Sequence, residues 1–194
     1  MPNWCSNSIA FYQEDGGIAL LQAFYADVQK YENGEWVANM LKVHGVNTDE
    51  IYSHGHFQNC VLNSDHVRID MESAWRPLPE VWDKIAEKYN LSCVYASEEC
   101  GSAVYVNTDT EGRFFADRYI LNYFDVESLK LPQDILAKYG VLLRELSGET
   151  TYYEDFDEVL KTFVDFEFGD VENLEGLNQH LEKFNIKVHK FKTE

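Results

Sequence analysis

The residues with the strongest chemical potential are His54-Gly55-His56, with Cys60 and His66 close by in sequence. These are metal-ligand types. A structural zinc needs four ligands converging as a tetrahedron, and this spacing follows no strong zinc signature. On a strand, His54 and His56 share a face; in a loop they are solvent-exposed histidines, which is the expectation adopted here. No metal site is therefore assigned. The four cysteines, Cys5, Cys60, Cys93 and Cys100, show no paired CxxC spacing and read as free thiols, mostly buried as small hydrophobes. Cys93 and Cys100 flank an expected hairpin across which they face each other. A cysteine nucleophile needs a base within hydrogen-bond reach, and nothing in the spacing supplies one. Glu98, Glu99, Asp109 and Glu111 fall at expected hairpin tips, where solvated turns are the reading. Gly16-Gly17 lacks both the GxxxxGK[ST] and the GxGxxG pattern of phosphate-binding loops. Phe114, Phe115 and Tyr119 are of the type that stacks bases, but only Arg113 and Arg118 accompany them, so they read as core. No catalytic residue and no cofactor is expected.

A second chemical feature is acidic. From 149 to 175 the chain carries Glu149, Glu154, Asp155, Asp157, Glu158, Asp165, Glu167, Asp170, Glu172 and Glu175, with Lys161 the one basic residue among them. On helices these form an outer face opposite an apolar stripe. That face serves solubility. Alternatively it mimics nucleic-acid phosphates and fills the cleft of a basic protein. Glu154, Asp155, Asp157 and Glu158 are the candidate contact residues. The whole chain has 34 acidic and 16 basic residues among 194, a net charge of −18. Such a surface repels phosphates, so direct nucleic-acid binding and binding to anionic membranes are not expected. Hydrophobic residues at 45% and aromatics at 14% exclude a disordered chain and imply a well-filled core.

The elements that position these residues follow from periodicity. A first strand is expected over 5–13, ended by Glu14-Asp15-Gly16-Gly17. Ile18, Leu21, Phe24, Tyr25, Val28 and Tyr31 have helical spacing, with a stop at Asn33-Gly34. Residues 35–55 read as a short helix or an irregular cover. Strands over 57–62 and 66–71 flank the turn Asn63-Ser64-Asp65. Pro77 and Pro79 introduce a helix over 79–89 that buries Val81, Trp82, Ile85, Ala86 and Tyr89 and stops at Asn90. Three strands over 91–97, 102–108 and 113–121 read as a meander. The β-α-β-β-α-β order predicts an α+β, ferredoxin-like split βαβ sheet with additional meander strands.

Beyond it, Leu131-Pro132 opens a short helix closed at Tyr139-Gly140, and 141–146 is taken as a strand. Helices over 155–165 and 171–184 bury Phe156, Val159, Leu160, Phe163 and Val164, and Leu174, Leu177, Leu181 and Phe184. A short strand through Ile186, Val188 and Lys190 follows. The expected division is a ferredoxin-like domain over 1–121 and a mostly helical, acidic α/β extension over 122–194 packed on it. No stretch has the roughly 18 apolar residues of a membrane helix. The opening residues lack a secretory signal, so a cytoplasmic location is expected.

The opening Met1-Pro2-Asn3-Trp4-Cys5-Ser6-Asn7 resembles that of the YubB-like proteins, a family of unknown function carried by plasmids, phages and integrated elements. Two further stretches are similar to that family. One is Met71-Glu72-Ser73-Ala74-Trp75-Arg76-Pro77-Leu78-Pro79, followed by Ile85-Ala86-Glu87-Lys88-Tyr89. The other is Glu98, Glu99 and Gly101 before Val104-Tyr105-Val106. The family's tryptophan-rich segment before the third strand has no counterpart in 51–60. The resemblance covers about residues 1–120 and implies a ferredoxin-like fold, with Asn3, Trp4, Asn7 and Trp75 as candidate binding residues at one sheet end. It implies no activity. The expected function is that of an accessory protein of a mobile element, acting through its acidic surface on an unknown, basic host or element protein. The alternative is a small-molecule or nucleotide-binding module, enzymatic or not, with a pocket near Trp4 and Trp75. A homodimer formed through an exposed sheet edge is a third expectation.

Overall fold

A computed structural model describes residues 3–31, 35–48 and 50–193. Met1 and Pro2 of the opening motif, and the helix stop expected at Asn33-Gly34, lie outside the described residues. The fold is α+β, and the chain divides into two compact units, Met1–Phe115 with Lys192–Glu194, and Ala116–Phe191. The strand that ends at Leu121 belongs to the second sheet.

In the first unit, β1 (Trp4–Tyr12), β2 (Gly55–Leu62), β3 (His66–Ala74), β4 (Ser92–Glu99) and β5 (Val104–Asn107) form one sheet in the order β2-β3-β1-β4-β5. All its ladders are antiparallel. Helices α1 (Ala19–Val28) and α2 (Val37–Val43) lie in the β1–β2 connection, and α3 (Pro79–Tyr89) joins β3 to β4. Strand order and helical crossovers follow the split βαβ pattern, with β5 and α2 as additions. Alternation along the strands decides the faces. Ile9 and Phe11 of β1 and Val67, Ile69 and Met71 of β3 point to the helices and are buried. They meet Leu21, Phe24 and Val28 of α1, Met40 and Leu41 of α2, and Val81, Trp82 and Ile85 of α3. On the opposite face the same strands present Ser6, Ser8, Arg68, Asp70 and Glu72; Arg68 Nε pairs with Asp70 Oδ1 at 2.9 Å and Asp70 accepts from Ser8 Oγ at 2.6 Å.

Local signals explain α3. Pro79 supplies the helical φ at its start, Glu80 faces the positive end of the dipole, and Asn90 closes it in the left-handed region at φ 53°. The helices are tied by a polar trio: Tyr89 Oη donates to Asp27, and His44 Nε2 lies 2.9 Å from both Asp27 Oδ2 and Tyr89 Oη.

Several sequence expectations are corrected. Residues 113–118 are not the third meander strand. The Asp109 carboxylate gathers the backbone N–H groups of Gly112, Phe114 and Phe115 at 2.6–3.1 Å, which commits this segment to a loop. Asp109 and Glu99 are not solvated tips but buried, 4% and 5% exposed. Burial pulls both carboxyls upward, yet the hydrogen bonds to their charged forms outweigh it and hold them below the ordinary range. Cys93 and Cys100 do not face each other: Cys93 pairs with Phe11 inside the sheet, and Cys100 is exposed beyond the end of β4.

The second unit has a three-stranded antiparallel sheet in the order β7-β6-β8, formed by β6 (Tyr119–Leu121), β7 (Thr151–Tyr153) and β8 (Val188–Lys190). Helices α4 (Gln133–Leu146), α5 (Phe156–Thr162) and α6 (Leu174–Leu181) complete it. Gly140 does not end α4, and 141–146 is helix instead of strand. Tyr139 and Leu143 on either side of Gly140 are anchored in a core with Phe166 and Phe184, and this packing overrides the glycine. Val164 is not on the buried face but 70% exposed. The helix gives way to a 3₁₀ turn at Val164–Phe166, which turns Phe166 inward in its place. No described helix is long and apolar enough to cross a membrane.

Candidate functional site

Three strand ends meet at one edge of the five-stranded sheet. Trp4, which begins β1, pairs with Ala74, which ends β3, and Gly55, which begins β2, pairs with Ser73. Gly55 faces the helices where there is no room for a side chain: a Cβ would sit 2.8 Å from the Glu72 carbonyl and 3.1 Å from Leu78. With glycine turned inward, His56 projects from the other face, beside Trp4 and Glu72. Trp36 reaches the same place by bridging to His56 just before α2, reinforced by a hydrogen bond from Phe57 N to Glu35 O at 3.0 Å.

The result is a cluster of rings. The Trp36 indole stacks on His54 with centroids 4.9 Å apart and planes 26° apart. Trp4 meets His56 edge-on at 5.1 Å and His54 at 6.1 Å. Tyr52 approaches His54 at 6.4 Å and donates its hydroxyl to Ala74 O at 2.9 Å. The Arg76 guanidinium lies 5.1 Å above the Tyr52 ring. Trp75 follows β3 directly. Although not glycine, it sits at φ 70°, with its N–H donated to Asn3 O at 2.8 Å. That conformation is an outlier for a bulky residue. Trp4, Trp36 and Trp75 are 39%, 41% and 52% exposed, whereas Trp82 is 1% exposed. Beside the cluster runs an open groove of about 600 Å³, lined by Trp36, Glu50, Tyr52 and His54 among others.

Behind the exposed rings lies a buried polar network. The Asn7 amide nitrogen donates to Cys5 O at 2.8 Å, Ser73 Oγ at 2.9 Å and Met71 O at 3.3 Å. Its oxygen accepts from Ser97 Oγ at 2.8 Å. One side chain thereby ties β1, β3 and β4. Glu99 accepts from Gly101 N and Ser102 N, both at 2.7 Å, and from the Asn3 side chain. Burial pushes the Cys5 thiol up to about 12, so it is protonated at neutral pH and not a nucleophile.

The structure thus brings Asn3, Trp4, Asn7 and Trp75 to one end of the sheet. Trp4 and Trp75 are surface groups there, while Asn7, 1% exposed, is internal scaffolding. The acidic candidates belong to the second unit. Asp155 caps α5, its Oδ1 accepting from Glu158 N at 2.9 Å, and Glu158 Oε2 accepts from the N–H of Glu154, one residue before the cap, at 3.0 Å. Glu154 and Asp157 are exposed. The metal-ligand types do not converge. Cys60 faces the helices, and His66 bonds Asp65 and Asn63; among the described residues no three His, Cys, Asp or Glu groups could hold an ion together.

Sequence reasoning passed over Trp36, Tyr52 and the pairing of His54 and His56 with them. The available signal was the two-residue spacing of the histidines on a strand; the approach of Trp36 depends on a tertiary bridge. Compared with known proteins, the chain matches no family model and no curated relative.

Proposed function

We propose that this chain is a non-catalytic binding protein acting by protein–protein contact in the cytoplasm. Its contact surface would be the tryptophan end of the first unit. One observation carries the reading: three of the four tryptophans are more than a third exposed, Trp4 and Trp36 in one ring cluster with Tyr52 and two histidines, and Trp75 on the backbone that follows β3 at the same end of the sheet. Tryptophan, tyrosine and arginine dominate the energetics of protein interfaces, the two aromatics because they bury large areas with few rotors. An exposed aromatic cluster of this kind marks an interaction site. A role as an accessory protein of a plasmid, phage or integrated element rests on the resemblance of the opening residues and of Met71–Pro79.

A second reading keeps the contact on the acidic surface. It is favoured by Glu154 and Asp157, exposed carboxylates beside the start of α5. Partner capture from host lysate, at low and high salt, separates the two. The pair Trp4→Ala/Trp75→Ala is expected to abolish capture while Glu154→Gln/Asp157→Asn leaves it intact. The opposite pattern moves the contact to the acidic face, and capture insensitive to both pairs rejects both surfaces.

A further inference from the structure

The groove beside Trp36 has the chemistry of a cation site. Resting on the binding reading above, we infer that it receives an arginine side chain presented by a segment of a basic partner protein. One side of the Trp36 indole is fixed against His54, and the ring is still 41% exposed. A flat aromatic face held in place is what a guanidinium stacks on, through cation–π attraction and planar contact. The chain makes this contact within its own cluster, where Arg76 lies over Tyr52.

The charges around the groove agree. Glu50 lines it, is exposed, and makes no ion pair among the described residues. Among the described residues that line the groove, none is a lysine or arginine. The nearby carboxylates of Glu35 and Glu72 are engaged, Glu35 by the Asn39 amide at 2.8 Å and Glu72 by His56 at 3.3 Å. Among the described residues Glu50 is thus a carboxylate left to answer an incoming charge. Arg76 is held over Tyr52, and Lys84 and Lys88 share a neighbouring cavity with Glu50, Lys84 paired there with Glu87; the histidines present ring faces and edges to the tryptophans. A nucleotide's phosphates would meet the Glu50 carboxylate in this lining, where a guanidinium is attracted. At about 600 Å³ the groove exceeds one side chain, which leaves space for the residues flanking the arginine. The excess of acidic residues, net −18, draws a basic partner toward the molecule and repels acidic competitors.

The test is a titration of intrinsic tryptophan fluorescence with a hexa-arginine peptide, against hexa-glutamate of the same length. Saturable quenching by the arginine peptide alone is expected. Trp36→Ala should weaken it about tenfold and Glu50→Gln several-fold, as desolvated cation–π and charge contacts do. Glu111→Gln, which removes the same charge from an exposed loop elsewhere in the unit, should change affinity less than twofold. Equal weakening by Glu50→Gln and Glu111→Gln overturns the inference, because it shows attraction to net charge only. Equal affinity for free arginine also overturns it, and reassigns the groove to a small cation. If Trp36→Ala loses its fold by circular dichroism, the comparison of Glu50→Gln with Glu111→Gln decides. Partner capture that depends on Trp4 and Trp75, together with no arginine-peptide binding, sinks this inference and leaves the proposed function standing. Loss of both removes both.

Discussion

Replacing Asn7 by alanine should cost the first unit about 3–4 kcal/mol, although Asn7 touches nothing outside the protein. The amide makes three contacts at 2.8–2.9 Å, to Cys5 O, Ser73 Oγ and Ser97 Oγ, and a longer one to Met71 O at 3.3 Å. Each hydrogen bond contributes about 1 kcal/mol net, and a buried group left without a partner costs about 1–3 kcal/mol. Ser73 Oγ keeps its own bond to Arg76 O at 2.6 Å, so the orphans are chiefly the Ser97 hydroxyl and the Cys5 carbonyl. Ser97→Ala removes one bond and should cost about 1 kcal/mol. All four tryptophans lie in the first unit, so their fluorescence follows its unfolding in urea without signal from the second. With a slope of about 2 kcal/mol per molar urea, Asn7→Ala should lower the midpoint by about 1.5–2 M and Ser97→Ala by about 0.5 M. A shift below about 0.5 M for Asn7→Ala at unchanged slope would refute the assignment of Asn7 as the tie between β1, β3 and β4.

Other predictions follow from the same physics. Asp109 and Glu99 have folded-state pKa values below their ordinary 3.8 and 4.5, so their stabilisation is full above those values and is lost as pH falls through the depressed ones. Acid unfolding monitored by tryptophan fluorescence should show that loss, and Asp109→Asn should flatten the pH dependence. A thiol reagent at mildly alkaline pH should label Cys100 first, because it is exposed while Cys5 and Cys93 are pushed up to about 12 by burial; Cys100→Ser should remove the fast phase in a colorimetric thiol assay. Gly140→Ala should stabilise the second unit by about 0.5–1 kcal/mol in far-ultraviolet circular dichroism melts, since it sits inside a helix. The new Cβ meets the flexible end of Arg144 at 3.4 Å and Leu136 in ordinary contact at 4.0 Å. Asp155→Ala removes the α5 cap and should cost about 1 kcal/mol in the same melts.

The first unit was the more legible part, because period decides there. Val67, Ile69 and Met71 alternate against Arg68, Asp70 and Glu72, and Val81, Trp82 and Ile85 recur at helical spacing between Pro79 and Asn90. Legibility failed where one tertiary contact overrides local preference. Asp109 reads as a solvated tip until its carboxylate is seen collecting three backbone N–H groups. Gly140 reads as a stop until Tyr139 is seen stacked on Phe166. The candidate site divides the same way. Asn3, Trp4, Asn7 and Trp75 follow from the resemblance, and the strand register carries them to one end. Trp36 is not legible as a site residue, because it joins them through a single bridge to His56 that no spacing encodes.

The central claim is that partners bind at the exposed tryptophans. It is tested most directly by placing a photo-crosslinking residue at position 75, and separately at position 157, in the full chain, and irradiating each in host lysate. The account predicts a discrete crosslinked species from position 75 that disappears when Trp4 is also replaced, and none from position 157. Crosslinking from position 157 with none from position 75 would contradict it.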